Sequence, residues 1–242
     1  MNVLELRNIS KKFPEVRLPA VDNFNLNVAM GEIVALLGES GCGKTTILRM
    51  IAGFEVPNGG TIKINGETVS GKDIFIEPQN RKVGIVFQDY ALFPHKTVWE
   101  NINFGLFRLS RSEATAIFVT HDTRDVMSIA DKVSVIRQGR HVQTDNPEKI
   151  YSFPATAYVS DFFGKTNYIK AKVSPEGFKT PMGLIRTKTP LPADLKDVLL
   201  SIRHEEFTIC NEKDNCFCGT IVSERFMGEY KELTCIAENL SG

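Results

Sequence analysis

Residues Gly38 to Thr46 read GESGCGKTT and constrain this chain more than any other stretch. The spacing G-x-x-x-x-G-K-[ST] is met by Gly38, Gly43, Lys44 and Thr45. Before it runs Ile33-Val34-Ala35-Leu36-Leu37, a short apolar segment of buried-strand type. After it, Ile47, Leu48, Met50 and Ile51 recur at helical spacing. Strand, glycine-rich turn and helix in that order predict a phosphate site. Glycines let successive backbone N–H groups converge on phosphate oxygens, and the new helix points its positive end the same way. Lys44 then reaches toward the β- and γ-phosphates, and the Thr45 hydroxyl is a Mg²⁺ ligand. An ordinary glycine-rich turn explains the glycines but not the Lys-Thr pair that follows them. The predicted ligand is a nucleoside triphosphate.

A chain of 242 residues has length for one large domain or two modest ones. Its 29 basic and 29 acidic side chains cancel, so no global field draws it to nucleic acid or an anionic membrane. The N-terminus lacks the charged and apolar regions of a signal peptide, and no apolar run is long enough to span a bilayer. Any membrane role is expected through docking on another subunit. The five cysteines are Cys42 in the loop and Cys210, Cys216, Cys218 and Cys235 near the end. Their spacing matches no common zinc framework, so buried or half-buried reduced thiols are expected.

In order along the chain, residues 3–9 and 25–28 alternate as half-solvated strands, and 61–66 form a strand ending in a hairpin turn. Val83 to Phe87 is expected as a strand, a short helix is expected around Val98 to Leu106, and Ala116 to Val119 as another strand. A helix follows over 124–130, strands over 133–136 and 141–143, and short helices over 147–151 and 155–163. Beyond Gly164 the character shifts to short β-like stretches, at 198–202, 219–222 and 233–236, broken by Pro, Gly and charges. The expected division is 1–163 and 164–242.

Together these residues resemble the ATP-binding subunit of an ABC transporter, nearest to the importer branch serving iron, polyamines and sulfate. VGIVFQDYALFPHKTVWENINFGL (83–106) resembles the family's Q-loop segment and places its glutamine at Gln88. AIFVTHD (116–122) resembles the switch strand and places the switch histidine at His121. Phe13 stands where the family puts an aromatic on adenine, and 200–209 and 218–237 resemble the small β-barrel appended in importer subunits. The resemblance implies an α/β P-loop NTPase of ABC type with an N-terminal antiparallel β subdomain. A small all-β, OB-like regulatory domain, cut short at Gly242, is implied after it. The implied cofactors are ATP and Mg²⁺. Phe13 and Gly38, Glu39, Ser40, Gly41, Cys42, Gly43, Lys44, Thr45 and Thr46 would bind nucleotide, with Thr45 and Gln88 at the metal. Lys44, Gln88 and His121 would be the catalytic group, His121 donating to the γ-phosphate or to developing charge. Implied partners are transmembrane permease subunits, a second copy of the chain and an extracytoplasmic solute-binding protein, with no nucleic acid. The implied location is the inner face of the cell membrane.

The family pattern places three more elements between Gln88 and His121: a helical subdomain ending in LSGGQ, a Walker B strand ending in Asp-Glu, and a D-loop. None is in this sequence, which we read as an internal deletion near 114–115. Leu109-Ser110-Arg111-Ser112 lacks the paired glycines of a signature. Losing the Walker B Asp removes a magnesium anchor, and losing the Glu removes a general base worth about 10²–10⁴ in rate. Neighbours of a missing strand keep unpaired ladder groups unless the sheet closes up. Taking Asp122 as a relocated Walker B residue fits poorly, because Thr120 and His121 intervene and no glutamate follows. The energy-coupling subunit therefore has a rival, a non-hydrolysing nucleotide- or ligand-binding regulatory module on the same scaffold. A degenerate fragment or a P-loop kinase or GTPase fits less of the chain.

Overall fold

The structure is a computed structural model that describes residues 1–14, 16–85, 97, 115–120, 122–187, 191, 194–209, 215–228 and 230–237. The chain divides into two compact units, Met1–Phe163 and Gly164–Gly242.

The first unit opens with an antiparallel sheet of β1 (Asn2–Lys11), β2 (Val21–Ala29), β4 (Gly59–Ile64), β5 (Glu67–Gly71) and β6 (Ile74–Phe75), ordered β2-β1-β4-β5-β6. Alternation fixes its inner face. Leu4 pairs with Val28 on one side and Ile64 on the other, and Leu6 likewise with Leu26 and Ile62. All six side chains lie in one apolar core. A register slip by one residue would turn the whole set toward water.

The second sheet carries the loop. Its order is β7 (Ala116–Val119), β3 (Ile33–Leu37), β8 (Lys132–Arg137), β9 (Arg140–Asp145). β7 and β8 run parallel to β3, and β9 returns antiparallel to β8. The uninterrupted apolar run of β3 is explained by burial on both faces. Val34 and Leu36 join the core shared with the antiparallel sheet and with helix α1 (Lys44–Ala52). Ala35 and Leu37 join a second core with Val126, Ile150, Val159 and Phe163. Those four come from, or directly follow, helices α2 (Thr123–Ile129), α3 (Pro147–Ser152) and α4 (Ala157–Phe162).

One expectation changes here. Val83 to Ile85 lie outside any strand. Both edges of β3 are taken by β7 and β8, so the segment does not pair with β3. The rest of 83–87, with Gln88 and the expected helix around 98–106, falls outside the described residues. Among the described residues β7 is the end strand of its sheet, and Val119 is 36% exposed in spite of its apolar side chain.

The second unit contains a four-stranded antiparallel sheet and a separate hairpin. The sheet is built from β10 (Thr166–Ser174), β11 (Gly177–Thr180), β12 (Gly183–Ile185) and β13 (Asp197–Arg203). β14 (Gly219–Phe226) and β15 (Lys231–Ala237) make the hairpin. The cysteine expectation is corrected in this unit. Cys218 and Cys235 are exposed free thiols and Cys216 is disulfide-bonded, so among the described residues Cys42 is the one buried thiol of the expected kind; Cys210 lies outside the described residues. A thin hairpin has no second layer in which to bury Cys235, which accounts for its exposure.

Candidate nucleotide-phosphate site

The loop lies between the end of β3 and the start of α1, held against two other chain segments. Cys42 accepts a hydrogen bond through its carbonyl from the Gly139 N–H at 2.9 Å, and the Gly139 carbonyl accepts from the Asp22 N–H at 2.8 Å. A Cβ on Gly38 would stand 2.3 Å from the Ile136 carbonyl oxygen and 2.6 Å from Cys42 Sγ. Gly43 has φ +108°, and a Cβ there would stand 2.3 Å from the Ala20 carbonyl oxygen. Backbone oxygens cannot swing aside as a flexible side chain would, so these two glycines are required by shape.

Lys44 turns its ammonium into the loop. Nζ donates to the carbonyls of Gly38 at 2.7 Å and Glu39 at 2.8 Å, and lies 3.5 Å from Cys42 Sγ. The positive charge is thus fixed at the head of α1, where the helix dipole adds to it. Glu39, Ser40, Gly41 and Thr45 are exposed, whereas Cys42 is buried.

The start of α1 differs from that of the other helices. Asp122 caps α2, Asn146 caps α3 and Thr156 caps α4, each accepting a backbone N–H through its side chain. α1 has no such cap and no acid in its first turn. Among the described residues nothing accepts from the N–H groups of Gly41, Gly43, Lys44, Thr45 or Thr46. A cluster of convergent donors beside a fixed ammonium fits an anion with several oxygens. The donor set therefore fits a nucleotide phosphate chain, and the exposed Thr45 hydroxyl offers an oxygen of the kind Mg²⁺ takes.

Tyr158 of α4 closes one side. Its hydroxyl donates to the Ile136 carbonyl at 3.1 Å, and the Arg137 guanidinium stacks on its ring at 4.6 Å. Burial raises the Tyr158 pKa, with the Glu39 backbone acting against that rise. Sequence reasoning missed Tyr158, Gly139 and Ala20. Gly139 was legible only as a turn residue, and nothing local to Ala20 marks it.

Phe13 is half-buried under the Lys11 ammonium, 5.1 Å from the ring centre. Lys11 is itself paired with Glu55 at 2.6 Å and bonded to the Val56 carbonyl at 2.8 Å. No described contact joins Phe13 to the loop. Gln88 and His121 lie outside the described residues, so the expected catalytic group is represented by Lys44. Asp122 is committed elsewhere. Its carboxylate accepts from the Arg124 N–H at 2.8 Å and pairs with the Arg124 guanidinium at 3.1 Å.

A central strand flanked by two parallel neighbours and running through such a loop into an uncapped helix defines a P-loop nucleotide-binding fold. The profile of the ABC transporter family matches residues 21–152, and this chain belongs to that family of transporter ATPases. Among curated relatives, it is 32% identical over 248 residues to the spermidine/putrescine import ATP-binding protein PotA of Pseudomonas aeruginosa (strain UCBPP-PA14). That comparison covers 71% of this chain and 67% of the relative. It is 28% identical over 315 residues to the Fe(3+) ions import ATP-binding protein FbpC of Escherichia coli O157:H7, covering 96% and 87%. An alignment of 315 positions exceeds this 242-residue chain, so that relative carries internal segments with no counterpart here. Among solved structures, a bacterial Atm1-family ABC exporter with ATP bound aligns at TM-score 0.54 and 18% identity, over 67% of this chain and 41% of that one. This last likeness concerns the fold alone.

Proposed function

We propose that this chain is the ATP-binding, energy-coupling subunit of an ABC importer for a small solute or ion of the polyamine or ferric-iron class. The observation that carries this reading is the uncapped α1 with its unused N–H donors around the Lys44 ammonium. The curated importer subunits described above supply the solute class. In this reading Gly38 to Thr46 hold the phosphates of ATP, and the Thr45 hydroxyl with Gln88 faces Mg²⁺, which neutralises phosphate charge when bound. Phe13 takes the adenine, and His121 donates to the γ-phosphate. The chain works as a pair of copies against transmembrane permease subunits on the inner face of the membrane, with an extracytoplasmic binding protein delivering solute. Among the described residues no helix is long and apolar enough to cross a membrane, which accords with attachment through a partner. Residues 164–242 are the OB-like regulatory domain of this assembly.

A second reading, binding without hydrolysis, is favoured by one specific observation. Asp122 is the one acid following β7 in the position a substitute Walker B residue would need, and Arg124 and the α2 N-terminus occupy it. The missing signature, Walker B and D-loop elements point the same way, as does the greater internal length of the ferric-iron relative.

Thermal unfolding and phosphate release measured together on the full chain separate the two. ATP with Mg²⁺ raises Tm in the unsubstituted chain and not in Lys44→Ala. Phosphate release that depends on both Lys44 and His121 selects the coupling ATPase, and release at background selects the non-hydrolysing module. A wild-type Tm indifferent to ATP would reject both.

A further inference from the structure

The Gly38–Glu39 peptide, at the start of the phosphate loop, is engaged from two directions. Lys44 Nζ donates to the Gly38 carbonyl at 2.7 Å and to the Glu39 carbonyl at 2.8 Å. Against the same stretch stands Tyr158 of α4. Its hydroxyl donates to the Ile136 carbonyl at 3.1 Å, the oxygen that would meet a Cβ on Gly38 at 2.3 Å. Burial raises the pKa of that phenol, and a hydrogen bond with the Glu39 backbone acts against the rise. One phenol oxygen thus joins the end of β8 to the second residue of the loop.

Tyr158 is itself fixed. Its ring lies edge-on to Phe162, 5.0 Å between centres, and under the Arg137 guanidinium at 4.6 Å. A half-buried ring packed on two sides has few rotamers open to it, so its hydroxyl keeps a set position. Helix α4 is anchored by Val159 in the same core as Ala35 and Leu37 of β3, the strand that feeds the loop. Strand, loop and phenol are therefore held in one frame.

The neighbouring cation shows which part of a ligand is concerned. A P-loop lysine reaches the β- and γ-phosphates, and here its ammonium rests on the Gly38 and Glu39 carbonyls. Those carbonyls border the place where the terminal phosphate arrives. A carbonyl oxygen turned toward a phosphate repels it, and an ammonium drawn onto the ligand no longer restrains the peptide. A second anchor that does not take part in that exchange keeps the peptide oriented, as a preorganised dipole must be.

We propose that Tyr158 is a positioning residue that holds the Gly38–Glu39 peptide at the terminal-phosphate end of the loop and so sets how much that phosphate adds to binding. Arg137 and Phe162 hold the ring from which it acts. This rests on the reading of Gly38 to Thr46 as a nucleotide site.

The test titrates the full chain calorimetrically with ATP and with ADP, each with Mg²⁺, and records Tm without nucleotide. Tyr158→Phe keeps the ring for Phe162 and Arg137 and removes only the hydroxyl. Its ATP Kd is expected to rise about fivefold or more while its ADP Kd stays within about twofold of the wild-type value. A residue that only supports the fold would weaken both nucleotides alike, so the ratio of the two Kd values decides. Arg137→Gln leaves the hydroxyl but frees the ring, and is expected to move the ratio the same way by about threefold. It carries the test should Tyr158→Phe not fold. A wild-type ratio in Tyr158→Phe overturns the proposal, as does an equal fall in both affinities; if that variant does not fold, the same results in Arg137→Gln overturn it. A wild type that binds neither nucleotide instead rejects the nucleotide site itself, and this proposal with it.

Discussion

Gly139 donates its N–H to the carbonyl of Cys42 at 2.9 Å, joining the turn after β8 to the middle of the phosphate loop. The loop is thus held by a residue nearly a hundred positions away. Gly139 has φ +78°, and a Cβ would stand 2.7 Å from the Ala20 carbonyl oxygen. Gly139→Ala is expected to cost about 1–3 kcal/mol, by backbone strain at a positive φ and by the clash. Denaturant unfolding measures this, and an unchanged midpoint would show that the turn yields freely.

Gly43→Ala places a methyl against the Ala20 oxygen at a φ that alanine resists. The loop must shift, and N–H groups lose their aim at a charged ligand. Since each such bond is worth about 1.5–3 kcal/mol, ATP affinity should fall about tenfold or more. Calorimetric titration of the variant decides this; wild-type affinity would remove Gly43 from the site.

Asp122→Ala removes a helix cap and the pair with Arg124. Stability should drop by about 1 kcal/mol, the usual value of an N-cap. The Mg²⁺ concentration needed for ATP binding should stay unchanged. A large rise in that concentration would make Asp122 a metal ligand after all.

Asp131 accepts the Ile33 N–H through Oδ2 at 2.8 Å, and its own N–H donates to the Ile33 carbonyl at 2.9 Å. It fixes the first residue of β3. Asp131→Ala leaves that N–H without its acceptor and should cost about 1–3 kcal/mol. Equilibrium unfolding of Asp131→Asn beside it checks the cause, because the amide oxygen still accepts and should recover most of the loss.

Burial lowers the His141 pKa from its ordinary 6.5, with the ring edge-on to Phe24 and Nε2 at 2.8 Å from Thr144 Oγ1. The unfolded chain therefore takes up the proton first as pH falls. Stability should be full above pH 6.5, decline below it, and level off once pH passes under the native value. The slope is shallow because the residue remains partly exposed. Tm measured across this range should flatten in His141→Gln; an equal slope in the variant would assign the effect to another group.

The phosphate loop, its strand and its helix were legible in the sequence because each rests on local rules. A five-residue apolar run, glycines at fixed offsets, and Ile47, Met50 and Ile51 at helical spacing need no knowledge of the rest of the chain. The same holds for β7 and α2. Tertiary structure alone decided what surrounds them. Val83 to Ile85 have the composition of a strand, yet they join no ladder, and β3 is paired instead with β7 and β8. Arg81 reads in sequence as one more surface charge, and only the meeting of α1, β5 and β6 makes it a buried clasp. Likewise Ala20, Gly139 and Tyr158 reach the loop from positions far apart in the chain. Periodicity and turn chemistry are properties of neighbours in sequence, whereas exclusion of water and the reach of a hydrogen bond are properties of neighbours in space.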